Sequence, residues 1–212
     1  QTCDDVYADQ SQMMGKWRKR LMMAIVLLGV CVFSIWSLVW PAVGNAPTDT
    51  DLEAYHNSPN FDAERGTFVN RRHDEYMRMM NDFDYMKLLQ EQMFGKEVRT
   101  PPKPLPTENI DWTKWSTLDN AYVWLGHSTI LFRINGQNIL FDPVFGSAAP
   151  VGFAVPRFQN PVARLDELPP IDVVFISHDH YDHLSFEAIQ FFKETQATFH
   201  VPLGVSFYLT GW

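Results

Sequence analysis

The sequence predicts a mixed α/β domain behind a single membrane-spanning helix, on three observations. Leu21 to Gly44 holds no charged residue. Asn135-Gly136 separates two runs rich in β-formers, Thr129–Ile134 and Gln137–Phe141. A continuous apolar run, Asp172–Ile176, is followed by a loop, a helical pattern and another short β-rich run.

The helix comes first. Leu21–Trp40 supplies twenty residues, enough at about 1.5 Å per residue to cross roughly 30 Å of hydrocarbon. Lys16, Arg18, Lys19 and Arg20 precede it, and Asp49, Asp51 and Glu53 follow. The positive-inside bias therefore predicts a single-pass protein with a cytoplasmic N-terminus and the main body on the periplasmic or extracellular side. Trp36 and Trp40 would sit at the far headgroup region, with Pro41 ending the helix. The rival reading is a signal peptide cleaved near Ala42-Val43-Gly44, which would leave a secreted or periplasmic protein. Residues 1–20 form the predicted cytoplasmic segment. Within it, Gln1–Gln12 reads as upstream or non-native sequence, because Met13-Met14 resembles a start.

Residues 45–110 read as a stalk, an amphipathic helix and a connector. Pro47 to Asn70 is polar and predicted to be irregular. Arg71–Phe94 carries Met79, Phe83, Met86, Leu89 and Met93 at spacings of three and four, which predicts one helix closed by Gly95. Its Met-rich stripe would serve as core or as a docking surface. Pro101, Pro102, Pro104 and Pro106 form a stiff connector, and a domain is predicted over 111–212. Ala121–Leu125 and Thr129–Ile134 are its first strands. Asn135-Gly136 suits a type I′ hairpin leading into Gln137–Phe141. Asp172–Ile176 has the pattern of a strand buried on both faces. Ser185 is a candidate N-cap for a helix to Lys193, and Thr198–Val201 is a further strand.

Composition excludes several classes. With 46% hydrophobic residues the 212-residue chain is neither disordered nor collagen-like. A net charge of −8 leaves no basic surface for nucleic acid. Cys3 and Cys31 offer neither a disulfide framework nor a CxxC metal site. Nothing in the sequence fixes an oligomeric state.

The chemistry concentrates in Ser177-His178-Asp179-His180-Tyr181-Asp182-His183, directly after the buried strand. Such a loop can hold His178 and His180 side by side while Asp182 and His183 turn toward a second point. That arrangement suits two adjacent metal ions with mixed nitrogen and oxygen ligands, zinc first and manganese or iron as alternatives.

HDHYDH is similar to the HxHxDH signature of the metallo-β-lactamase superfamily. WLGHSTILF, ILFDPVF, LPPIDVVFISHDHYDHL and VPLG resemble the branch holding N-acylphosphatidylethanolamine-hydrolysing phospholipase D and the ascorbate-6-phosphate lactonases. The match covers about Ala121 to Gly204. It implies the N-terminal half of a four-layer αββα sandwich and two Zn2+ ions per complete site. His178 and His180 would ligate the first ion, and Asp182 and His183 the second, with Asp182 also the candidate catalytic residue. Asp142 would support the metal loop through hydrogen bonds. His127 would reach the same cavity, as a supporting or a structural histidine. Tyr181 is expected to pack, Asp179 to orient loop backbone, and His56, His73 and His200 to bind no metal. Family members draw two more histidines and a bridging aspartate from sequence well downstream of this motif, so the chain is expected to be a fragment of a longer gene product, catalytically crippled by itself, whose full-length parent is the hydrolase.

The implied chemistry is metal-assisted hydrolysis, which suits esters, lactones, amides and phosphodiesters alike. A membrane anchor favours a lipid bilayer as partner and a phospholipid phosphodiester as substrate. Thirteen Lys and Arg against twenty-two Asp and Glu over residues 21–212 argue against bulk attraction to anionic headgroups. The alternatives are a tethered lactonase or β-lactamase-like enzyme acting on a soluble substrate, and a membrane protein without catalysis.

Overall fold

The computed structural model describes residues 3–45, 47–95, 101–150, 152 and 157–212, with side chains throughout except at 3–15, 92 and 93. Gln1–Val43 and Gly44–Trp212 are separate compact units. The first is one helix, α1 (Cys3–Val43). Its Lys16–Val43 stretch is long and apolar enough to cross a membrane, a property that signal sequences share. Pro41 was expected to end this helix, yet α1 continues to Val43. Within the last turn its missing N–H costs a single hydrogen bond before the helix ends anyway.

Gly44–Trp212 opens with α2 (Asp49–His56) and a two-stranded ribbon, β1 (Phe61–Asp62) and β2 (Thr67–Phe68), where an irregular stalk was expected. Two local features organise it. Thr48 Oγ1 accepts from the Asp51 amide, and Asp51 accepts from the Thr48 amide, closing a capping box. Buried Tyr55 packs its ring 5.8 Å from Phe61 and 5.3 Å from Phe68. Phe68 in turn lies so close over Gly204 that a Cβ there would sit 2.8 Å from the ring.

The predicted single helix over 71–94 is two, α3 (His73–Asn81) and α4 (Tyr85–Phe94). Asp82 and Asp84 explain the break: Asp82 caps the end of α3, and the Asp84 carboxylate accepts from the Lys87 amide to start α4. Met79, Phe83, Met86 and Leu89 are exposed, so this stripe is surface and not core. The Met93 side chain lies outside the described residues.

After the proline segment comes α5 (Trp112–Ser116), capped by Asp111. A five-stranded sheet follows: β3 (Asn120–Gly126), β4 (Thr129–Ile134), β5 (Gln137–Phe141), β6 (Val173–Phe175) and β7 (Thr198–His200), in that spatial order. β3, β4 and β5 are antiparallel neighbours, whereas β5, β6 and β7 run parallel. At the β4–β5 turn Asn135 and Gly136 have φ of 50° and 80°, as the predicted hairpin requires. Helix α6 (Phe186–Lys193), capped by Ser185, crosses from β6 to β7, and α7 (Ser206–Gly211) follows β7.

The pleat sorts the side chains. Leu131, Leu140 and Val174 are in register and fully buried, packed with Leu125, Ile176, Leu184 and the α6 residues Ala188, Ile189 and Phe192. Trp115 of α5 joins this core, its indole N–H donating 2.9 Å to Asn138 Oδ1. The opposite face carries Trp124, Ile130, Phe141, Phe175 and His200 in one cross-strand row. In that row Phe141 stacks on Phe175, and Phe175 on His200, each at 4.9 Å. The site elements thus sit between a packed face and an aromatic one.

Candidate metal centre

Three strand ends meet at one edge of the sheet. β3 ends in a register shift between Trp124 and Gly126, and the turn to β4 puts Gly126 and His127 at φ of 114° and 49°. The indole N–H of Trp124 holds that turn by donating 2.7 Å to the His127 carbonyl. β5 ends at Asp142, also left-handed at φ 43°, a conformation that aspartate tolerates better than most residues. β6 runs out into the loop Ser177–His183, closed by His183 and Leu184 amides that donate to the His180 carbonyl. Leu184, buried in the core, anchors the loop's end.

Asp142 joins these ends. Its carboxylate is buried and accepts from the Ser177 amide at 2.7 Å, the Ser177 hydroxyl at 2.7 Å and His183 Nδ1 at 2.9 Å. Only a protonated nitrogen can donate to a carboxylate, so the His183 proton sits on Nδ1 and Nε2 is free to coordinate. His183 Nε2 lies 3.8 Å from Asp182 Oδ2, which is 2.9 Å from His127 Nε2. His127, Asp182 and His183 offer ligand atoms that all lie within 4.8 Å of one another. The His178 ring is 4.0 Å from His183 and 4.7 Å from His180, and His178 Nδ1 pairs with Ser177 Oγ at 2.9 Å.

His127, Asp142, His178, His180, Asp182 and His183 therefore gather at one edge of the sheet, though in a different grouping. Asp182 shares its oxygen with His127, and His178 and His180 flank the triad. Asp179 is exposed, near enough to Tyr208 for its charge to add to the burial that raises that phenol's pKa. Tyr181 is half-buried, and that burial raises its pKa. His200 stacks on the sheet face, away from the loop. At Asp182 burial pushes the pKa up; its own backbone amide, the His127 hydrogen bond and the charges of His183 and His127 more than reverse this, leaving it below the ordinary value.

The donor set fits a divalent cation. Two imidazoles and a carboxylate converge, and one imidazole is already held in the ligating tautomer by a buried carboxylate. A cavity of about 570 Å³ opens beside it, with His127 and Asp182 in its wall together with Leu105, Trp124, Phe158 and Val162.

Residues 137–212 match the family model described as a beta-lactamase superfamily domain. Over that stretch the chain is similar to the metallo-β-lactamase superfamily. An uncharacterized protein of Mycobacterium tuberculosis (strain H37Rv) is 32% identical over 176 residues, covering 81% of this chain and 46% of its own length. N-acyl-phosphatidylethanolamine-hydrolyzing phospholipase D 1 of Caenorhabditis elegans is 36% identical over 106 residues, 48% of this chain and 30% of that protein. A metal-dependent hydrolase of Caldivirga maquilingensis is 35% identical over 75 residues, 35% of this chain and 28% of its own. The chain thus spans less than half the length of each of these relatives.

Proposed function

We propose that this protein is a membrane-anchored, metal-dependent hydrolase that cleaves phospholipid phosphodiesters of the N-acylphosphatidylethanolamine type. The observation that carries the reading is the convergence of His127, Asp182 and His183, with the His183 tautomer set by Asp142. His127, Asp182 and His183 would hold one ion, and His178 and His180 stand beside them to extend the site. Zinc suits imidazole and carboxylate donors best, ahead of manganese or iron. A divalent cation there supplies Lewis acidity, acidifying water and drawing charge from a phosphoryl oxygen.

The chain's own residues do the rest. Asp182 is ionised at neutral pH and presents an acceptor for the proton of an attacking water. Asp142 keeps the His183 proton on Nδ1. The apolar wall formed by Leu105, Trp124, Phe158 and Val162 would take hydrocarbon and keep water from it. The apolar stretch of α1 supports a membrane setting in which lipid is at hand, and the name of the nematode relative, a phospholipase D, supports the phosphodiester.

Zinc-loaded protein, extended through the downstream ligands that the family resemblance implies, should release phosphatidic acid from N-acylphosphatidylethanolamine in mixed micelles, and His183→Ala should abolish this. Hydrolysis of a lactone without any phosphodiester cleavage would overturn the substrate, and inertness toward both would overturn the hydrolase.

A further inference from the structure

Arg157 lines the cavity beside the metal centre, half-buried. Its Nε donates 2.6 Å to the Gly146 carbonyl and its Nη2 donates to the Val144 carbonyl. Both acceptors are neutral, and among the described residues no carboxylate forms an ion pair with this guanidinium. Burial lowers its pKa. Arginine is seldom buried without an anionic partner, because desolvating its charge is costly. Nη1 makes no hydrogen bond within the described structure. It lies beside Gly126, where a Cβ would stand 3.5 Å away, so glycine leaves this edge of the fork uncovered. Gly126 directly precedes His127. The uncovered donor thus adjoins the turn that carries one member of the metal cluster, in a mainly apolar cavity whose two carboxylates, Glu108 and Asp182, form no ion pair with it.

We propose that Arg157 is the anion-recognition residue of this cavity, and that the cavity selects an amphiphilic anion, a phosphodiester oxygen at Nη1 with an alkyl group against Phe158, Trp124 and Leu105. A positively charged fork fixed by two carbonyls is pre-organised, so little side-chain freedom is lost on binding. Arg157 is a specificity-determining residue, and the hydrolase reading enters only in what happens to the anion once bound. Binding itself needs no metal.

The test is calorimetry on chelator-treated protein in phosphatidylcholine nanodiscs, with empty nanodiscs as the blank. Three probes separate charge from apolar contact: dibutyl phosphate, inorganic phosphate and neutral triethyl phosphate. Dibutyl phosphate should bind at least about tenfold more tightly than either of the others, a difference near 1.4 kcal/mol. Arg157→Gln should erase the preference over triethyl phosphate while leaving triethyl phosphate binding unchanged. Arg157→Lys, which keeps the charge but loses the fork, should reduce it severalfold.

Equal binding of dibutyl and triethyl phosphate by the native protein would overturn the proposal, as would equal binding of dibutyl and inorganic phosphate. Retention of the full preference in Arg157→Lys or Arg157→Gln would do the same. If Arg157→Gln lost triethyl phosphate binding as well, the arginine would be a clamp on the loop and the assignment would fall. Because these titrations contain no metal and no turnover, they stand or fall separately from the phospholipase assay.

Discussion

Replacing Asp142 with asparagine separates two roles of one carboxylate. Asparagine matches its shape and tolerates the left-handed backbone at φ 43°, so the change adds little strain. The amide oxygen can still accept from the Ser177 amide. Its NH2 group, however, would face Ser177 Oγ and His183 Nδ1, which now contact a carboxylate at 2.7 and 2.9 Å. Hydrogen bonds to a charged group are worth about 1.5–3 kcal/mol and neutral ones about 1, so converting two of them should cost about 2 kcal/mol of stability. The larger effect is on His183. With a donor opposite Nδ1, the ring moves its proton to Nε2, the nitrogen aimed at the cluster, and that proton must leave before a metal can bind. Loss of such a supporting carboxylate typically lowers metal affinity about 10–100-fold. Chelator competition for zinc, run beside thermal unfolding of the metal-free protein, reads the two effects apart. A zinc affinity within threefold of the native value, whatever the stability, would refute the tautomer argument.

Two further expectations concern single residues. Because Asp182 titrates below its unfolded value of about 3.9, the stability it contributes is complete above that pH and is lost as pH falls through the folded value; His127→Ala removes the donor that helps to lower it, so carbon-13 titration of the Asp182 carboxyl in metal-free protein should show its midpoint rise, and an unmoved midpoint would mean that the hydrogen bond does not form. Thr48→Ala opens the capping box of α2 and should cost about 1 kcal/mol in thermal unfolding with zinc affinity unchanged; a change in zinc affinity would show that the α2 segment reaches the metal loop.

The sheet was legible in the sequence because its signals are local. Asn135-Gly136 can hardly be read as anything but a turn, and Val173–Phe175 is too short and apolar to be a surface helix. The metal loop was legible because its ligands crowd into six residues. His127 was harder. It stands 55 positions before Asp182, and only the register shift at the end of β3 swings it against that carboxylate. The glycine before it was the available clue, since a Gly-His pair at a strand end allows successive left-handed residues. Arg157 carried no sequence signal, because its role depends on which carboxylates fail to approach it. The ordered stalk was misread for a different reason. Thr48-x-x-Asp51 uses aspartate where a glutamate or glutamine is the usual signal, and the Tyr55–Phe61–Phe68 cluster is spread over residues that look polar on average.

The sheet has two ends with opposite obligations. At one, the backbone leaves β3, β5 and β6 through Gly126, Asp142 and Ser177, and the Asp142 carboxylate ties the loop there to the strand ends. At the other, Asn135 and Gly136 turn in the open with no part in the cluster. Sequence drift, a peptide tag or a fluorophore inserted between Asn135 and Gly136 would extend a hairpin whose register is already held by five β4–β5 pairs. The same insertion beside Asp142 would pull apart the joints that align His183. This chain therefore offers an engineer a handle that leaves the metal loop untouched.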